Sequence, residues 1–164
     1  MAKWLYLHIF LFWFVPTPDL ETLRLAYKDA GQDDSKIEVF ESLVKDINTE
    51  DNPVLVGYKG AALTLKAKLE KTIKEKKDVF FQGKEIIEFA IQKDPESIEL
   101  RFIRLGIQEN TPKLLKYKDN IEEDKDFILK NYHSISSKDL KSHITGYIKQ
   151  SKAFSDTERQ SLNL

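Results

Sequence analysis

The sequence contains no cysteine among its 164 residues. Disulfide bonds, thiolate nucleophiles, iron–sulfur clusters and cysteine-based zinc sites are therefore excluded, and so is a lipid anchor acylated at cysteine. Histidine is also scarce, since only His8, His133 and His143 occur. None of them shows the spacing to a carboxylate that is typical of histidine-based metal sites. We accordingly expect no metal and no cofactor.

The chain also lacks an excess of charge of either sign, with 26 basic and 27 acidic side chains and a net charge of -1. Arginine, the better bidentate phosphate ligand, occurs only four times. Because nucleic-acid-binding domains usually carry a concentrated basic face, we expect no nucleic-acid partner. Motifs of the P-loop, G-x-G-x-x-G and G-x-S-x-G types are absent as well, and an enzyme is therefore not the favoured interpretation.

One long apolar run is present, and it lies at the N-terminus. Trp4 to Val15 is interrupted only by His8, follows Lys3 and is ended by Pro16. As a helix this run would span about 18 Å, against a bilayer core of about 30 Å. A basic start and a short apolar segment are typical of an export signal, although no A-x-A cleavage site follows. We expect export to the periplasm or the medium; an uncleaved membrane-surface anchor is the alternative.

Prolines and capping residues divide the rest of the chain into helices. Pro18, Pro53, Pro95 and Pro112 each lie near a predicted helix start, where proline is well tolerated. No segment alternates between apolar and polar residues, as a half-buried strand would. The sequence predicts an all-α fold of seven or eight helices in stacked antiparallel hairpins. The predicted helices cover 18–30, 36–48, 53–75, 79–93, 97–108, 112–132 and 138–151, with a short piece near 156–162.

The predicted domain organisation follows from these segments. Residues 1–17 form the export signal or apolar leader, and residues 18–152 form a single α-helical domain. Residues 153–164 are expected to be a frayed tail. In the core, hairpin packing predicts that Ile87, Ala90, Phe102 and Leu105 are buried together.

Residues 79–110 resemble part of a tetratricopeptide repeat. Gly83, Ile87, Ala90 and Pro95 match the small–large–Ala–Pro spacing of its second helix and exit. The stretch RFIRLGIQENTPKLLKY, with the later NIEEDKDF, also looks like a family of short exported bacterial proteins to which no activity is assigned. The resemblance implies an irregular stack of helical hairpins. Such stacks present a concave face to protein or peptide partners.

Two pairs of residues are candidates for contact with a partner. Tyr58 and Lys59 lie beside small residues on one predicted helix, and Arg101 and Arg104 interrupt an otherwise apolar one. Tyrosine and arginine are enriched at interface hot spots, and alternate helices of stacked hairpins share one face. These residues could therefore form a groove for an acidic peptide or a carboxylate ligand. The alternative is that both arginines pair within the chain, with Glu96, Glu99 or Glu109.

Two other clusters are better explained by structure than by function. Gly57 and Gly60 in a predicted helix indicate close packing against a neighbouring helix. The acidic run at 122–126 is expected to be a solvated helix face. The sequence therefore favours an exported helical binding or interaction module. An enzyme assembled from scattered polar residues and a membrane-apposed structural protein are the alternatives.

Overall fold

The structure is a computed structural model that describes residues 18–164. The predicted export signal lies outside the described residues. Within residues 18–164 the chain forms eight α-helices and no β-strand, which confirms the predicted all-α fold of seven or eight helices. The helices are α1 (Leu20–Gln32), α2 (Ile37–Val44), α3 (Pro53–Lys66), α4 (Ile73–Lys93), α5 (Ile98–Asn110), α6 (Ile121–Asn131), α7 (Lys138–Gln150) and α8 (Asp156–Ser161).

Side-chain caps explain where most helices begin. The Asp19 carboxylate accepts the Thr22 backbone N–H at 2.9 Å at the start of α1. Asn52 caps α3 in the same way, with Pro53 at the first helical position. The helices α5 and α7 begin after capping serines, Ser97 and Ser137. Each cap satisfies a backbone donor that a helix start would otherwise leave unpaired.

The boundary between α3 and α4 differs from the prediction. One helix was expected over 53–75 and the next from 79, but the chain leaves the helix after Lys66 and re-enters it at Ile73. The new start is fixed by a capping box, in which Thr72 and Glu75 each accept a hydrogen bond from the backbone N–H of the other. These two reciprocal bonds start the helix at Ile73, so Asp78, the residue just before the predicted start at 79, lies inside α4.

The predicted helix over 112–132 is also interrupted. Lys113–Leu115 forms a short 3-10 helix, after which Lys116 adopts a left-handed conformation with φ of 48°. Left-handed backbone cannot continue an α-helix, so α6 begins only at Ile121. The result is a loop that places Leu114 and Leu115 beside the N-terminal part of α4.

Close helix packing defines the centre of the molecule. The helices α3 and α4 form the most extensive pair, and Gly60 of α3 faces Gly83 of α4. A Cβ atom at Gly57 would lie 2.3 Å from a methyl carbon of Leu100, so the side chain of Leu100 from α5 fills the space at Gly57. The interpretation of these glycines as packing residues is confirmed.

The predicted core residues are buried, with a different set of neighbours for one of them. Ile87, Ala90, Phe102 and Leu105 are all almost inaccessible to solvent. The aromatic neighbours of Phe102, however, belong to α1 and α7. Its ring centroid lies 6.2 Å from that of Tyr27, 5.0 Å from His143 and 5.2 Å from Tyr147. Phe102 therefore joins α5 to α1 and α7.

The C-terminal residues are ordered against the domain, and the expectation of a frayed tail over 153–164 is wrong. Phe154 and Leu162 are buried. Arg159 of α8 donates hydrogen bonds to the carbonyl oxygens of Ile148 and Ser151, at 3.1 and 2.6 Å. These bonds satisfy carbonyls at the C-terminal end of α7, which has no further helical turn to pair them. Among residues 18–164, no helix has the length and apolar character needed to cross a bilayer.

Candidate functional site

The first pair of residues predicted to contact a partner does not lie on an open surface. Tyr58 is fully buried, and its hydroxyl donates to Glu99 Oε1 at 2.7 Å. The ammonium group of Lys59 donates to the backbone carbonyls of Lys45 and Ile47, at the end of α2. Tyr58 therefore joins α3 to α5, and Lys59 caps the segment that follows α2.

The second pair, Arg101 and Arg104, is bound to carboxylates of the chain. Arg104 forms a bidentate pair with Asp124, with both N–O distances 2.7 Å, and contacts Glu88 at 2.9 Å. Arg101 contacts Glu123 at 2.6 Å and Asp124 at 3.1 Å. Asp124 and Arg104 are both buried. Their partners lie on α4 and α6, whereas the sequence had suggested Glu96, Glu99 or Glu109.

The groove expected from Tyr58, Lys59, Arg101 and Arg104 is therefore not formed by these side chains. Each of the four side chains has a hydrogen-bond partner within the chain, and Tyr58 and Arg104 are buried. The same network corrects the interpretation of the acidic run. Glu122 and Glu123 are exposed as expected, but Asp124 is the buried partner of both arginines.

A second buried charge network joins α1, α5 and α7. Arg24 forms a bidentate pair with Glu99, at 2.8 and 2.6 Å, and contacts Asp139 of α7 as well. Burial opposes the charge on Arg24, but the hydrogen bond and charge of Glu99 outweigh it, and the pKa of the guanidinium is raised. This network holds the N-terminal ends of α1 and α7 against α5.

Beyond these networks, residues of α1 and α7 line a groove of about 1480 Å³, called here the α1–α7 groove. Side chains along the full length of both helices form its walls. Phe102 and Gly106 of α5 lie at its base. The first turns of α4 and the loop that carries Leu114 also line the groove.

Exposed apolar side chains concentrate in this groove. Six large hydrophobic residues of the described chain are substantially exposed, and three of them line the groove. They are Leu25 at 56% exposure, Ile73 at 73% and Leu114 at 75%. Isolated exposed leucines are ordinary, but a cluster in a concavity is typical of an interaction site.

The charges that line the groove are mainly basic. Seven basic side chains face four carboxylates. Three of the carboxylates already have partners, since Asp34 pairs with Lys68, Asp139 with Arg24, and Glu109 with hydroxyls of α7 and the residue after it. Among the described residues, five of the seven basic side chains have no ion-pair partner. Lys76 donates to the Lys68 carbonyl oxygen at 2.8 Å. The other four have neither an ion-pair partner nor a side-chain hydrogen bond, and they are Lys28, Lys77, Lys138 and Lys152.

Glu109 is held by hydrogen-bond donors of the chain and has no ion-pair partner among the described residues. It accepts hydrogen bonds from the Tyr147 and Ser151 hydroxyls and from the Lys152 backbone N–H. Burial opposes ionisation of Glu109, but these bonds stabilise the carboxylate and its pKa is lowered. Glu109 therefore keeps its negative charge at neutral pH, but its oxygens are occupied by donors within the chain.

His143 is the one buried polar group on the groove wall whose hydrogen bonding is incomplete among residues 18–164. Its Nε2 is inaccessible to solvent and has no partner. Burial, with the positive charges of Arg24 and Lys28, lowers the pKa of His143 to about 4. The imidazole is therefore neutral near pH 7 and does not add to the basic charge of the groove.

Sequence reasoning missed the groove residues because no local motif marks them. The available signal was on α1, where Leu25 and Lys28 fall on the face opposite the buried Leu23 and Tyr27. An apolar side chain on a solvent-facing helix stripe indicates an unpartnered surface. The face of α7 that lines the groove contains Gly146. Glycine has no side chain, so the sequence of α7 shows no comparable apolar residue at this position.

The residues around the groove form a concave, partly apolar and mainly basic surface. Among the described residues, no cluster of three metal-ligating side chains is present. No protein-family model, curated protein or solved structure matches this chain.

Proposed function

We propose that this chain is an exported helical binding module that holds a protein or peptide partner in the α1–α7 groove. The observation that carries the proposal is the concentration of exposed apolar side chains in the groove, at Leu25, Ile73 and Leu114. Leaving such side chains in water costs free energy that a bound partner would recover, at about 25 cal/mol per Å².

The size of the groove favours a polypeptide over a small molecule. Small-molecule pockets usually enclose about 300–1,000 Å³. The α1–α7 groove has about 1480 Å³ and runs the length of two helices of 13 residues each. Its walls are also open to solvent along α1, where Lys28 and Leu25 are exposed. A long open groove suits a chain segment.

The N-terminal sequence supports the export part of the proposal. The apolar run from Trp4 to Val15 after Lys3 has the length of a signal-peptide core. The resemblance of residues 79–110 in sequence to part of a tetratricopeptide repeat supports a role in binding proteins. Cell fractionation with N-terminal sequencing tests export, and we expect the exported protein to begin close to residue 18. Intact protein confined to the cytosol would contradict this.

Binding in the groove is tested by differential capture from envelope extract. Gly146 lines the groove, and a Cβ atom there would contact nothing within 4 Å, so Gly146→Leu starts a side chain into open space at the groove. The matched control is Lys149→Leu, which adds the same side chain to an exposed part of α7 outside the groove. We expect a protein retained by the wild type and the control to be lost from Gly146→Leu. Equal retention by all three would contradict the proposal.

A further inference from the structure

We infer that the partner segment held in the α1–α7 groove is an acidic amphipathic α-helix. This inference rests on the proposed function and adds the conformation and charge of the occupant. It follows from three properties of the groove: the nature of its walls, its dimensions and its unpaired charges.

The walls of the groove favour a helix over an extended peptide. Both α1 and α7 are α-helices, so their backbone N–H and C=O groups are paired within each helix. An extended peptide lying between them would find no strand edge with which to pair its own backbone groups, and burying unpaired backbone is costly. A helical occupant satisfies its own backbone and needs only side-chain contacts.

The dimensions of the groove match a short helix. A helix about 10 Å in diameter that rises 1.5 Å per residue occupies roughly 120 Å³ per residue. The groove volume of about 1480 Å³ is large enough to admit several turns of such a helix. The two walls are helices of 13 residues, about 20 Å long, which is the length over which an occupant can contact both.

The charges of the groove select an acidic occupant. Lys28, Lys77, Lys138 and Lys152 line the groove and have no ion-pair partner among the described residues. Three of the four carboxylates that line it are held by partners within the chain. An occupant with aspartate or glutamate flanking its apolar face would pair with these lysines, and a basic occupant would be repelled.

The exposed apolar side chains and the lysines of the groove lie close enough in sequence to contact one amphipathic face of an occupant. Leu25 and Lys28 are three residues apart on α1, and Ile73 and Lys77 are four apart on α4, so each pair shares a helix face. An apolar stripe flanked by acidic positions at i, i+3 and i+4 on the occupant complements this arrangement.

Binding of designed peptides to the full chain tests the inference. The probe is a fluorescein-labelled helix of about 14 residues with leucine on one face and glutamate beside it. Its controls are the same peptide with lysine for glutamate and an isomer with the leucines scrambled. We expect the acidic amphipathic helix to bind, with an affinity that falls as salt is raised, and both controls to bind at least about tenfold more weakly.

Variants of the chain locate the bound probe. Replacing the four unpaired lysines of the groove by glutamine should weaken binding at least about tenfold. Replacing four exposed lysines outside the groove should have a much smaller effect; suitable controls are Lys36, Lys45, Lys71 and Lys130. Gly146→Leu should also abolish binding.

The outcomes separate this inference from the proposed function. Equal binding of the acidic and basic helices would overturn the inferred charge. A captured partner that depends on the groove but is not displaced by any helical probe would overturn the inferred helix, while the proposed function would stand. Loss of both helix binding and groove-dependent capture would overturn both.

Discussion

Gly60 of α3 and Gly83 of α4 face one another where the two helices pack most closely. A Cβ atom at Gly83 would lie 2.6 Å from the Gly60 carbonyl oxygen, and one at Gly60 would lie 2.7 Å from the Gly83 carbonyl oxygen. Both obstacles are backbone atoms, so neither can move without separating the helices. The absence of two side chains is therefore what allows the central hairpin to close.

The first prediction concerns this contact. Gly83→Ala should lower the free energy of unfolding by about 1–3 kcal/mol, because overpacking outweighs the better helix propensity of alanine. Gly146→Ala is the control, since a Cβ there meets nothing within 4 Å. It should raise stability by about 0.5–1 kcal/mol. Urea denaturation measures the free energy of unfolding of both variants. A Gly83→Ala variant as stable as the wild type would contradict the described packing.

The second prediction concerns the buried pair of Arg24 and Glu99. Glu99→Ala removes the bidentate partner of a buried guanidinium and the acceptor of the Tyr58 hydroxyl. We expect a loss of about 3–5 kcal/mol in the free energy of unfolding. Asp156→Ala, which removes an exposed partner of Arg159, should cost less than about 1 kcal/mol. Similar losses in the two variants would show that the Arg24 pair is not buried.

The third prediction concerns Phe102, which joins α5 to α1 and α7. Phe102→Ala should lower the free energy of unfolding by about 3–5 kcal/mol, since it removes a buried ring from contact with three aromatic side chains. Phe81→Ala is the control, because Phe81 is partly exposed. Phe81→Ala should lower the free energy of unfolding by substantially less than Phe102→Ala. A loss below about 1 kcal/mol for Phe102→Ala would contradict its position in the core.

The fourth prediction is a pH dependence that comes from His143. Its pKa is about 4 in the folded chain, against an ordinary value of 6.5, because burial and nearby positive charge disfavour the protonated ring. Between these values the unfolded chain binds a proton that the folded chain does not. Stability should therefore fall as the pH drops below about 6.5, by up to about 1.4 kcal/mol per unit, and this group should have no effect at higher pH.

Denaturation between pH 7.5 and 5.5 checks this slope, in a range where most carboxylates remain ionised. His143→Leu should flatten it, whereas His133→Gln, at an exposed histidine, should leave it unchanged. An unaltered slope in His143→Leu would show that another group is responsible.

Local signals in the sequence predicted most of the fold. Capping residues such as Asn52 with Pro53, and Ser137, mark true helix starts because a cap acts within three residues of itself. The break between α3 and α4 was misplaced because both Thr72 and Asp78 are plausible caps. The reciprocal bonds with Glu75 decide between them. Positions in the core were predictable from helical periodicity.

The candidate site could not be predicted in the same way, because it depends on contacts between distant residues. Arg24 meets Glu99 across 75 residues, and Arg104 meets Asp124 across 20. Without those contacts, buried arginines look like binding residues on an apolar helix. The groove likewise depends on how α1 and α7 are placed relative to each other. The spacing of residues within either helix does not encode that placement.

The most direct test of the account is methyl nuclear magnetic resonance of the full chain with the acidic helical probe. The reporters are Leu25, Ile73 and Leu114 in the groove, and the control is Val39, which is exposed but lies outside it. We expect the three groove methyl signals to shift on titration and the Val39 signal to stay fixed. Shifts at Val39 with none at Leu25, Ile73 and Leu114 would contradict a partner site between α1 and α7.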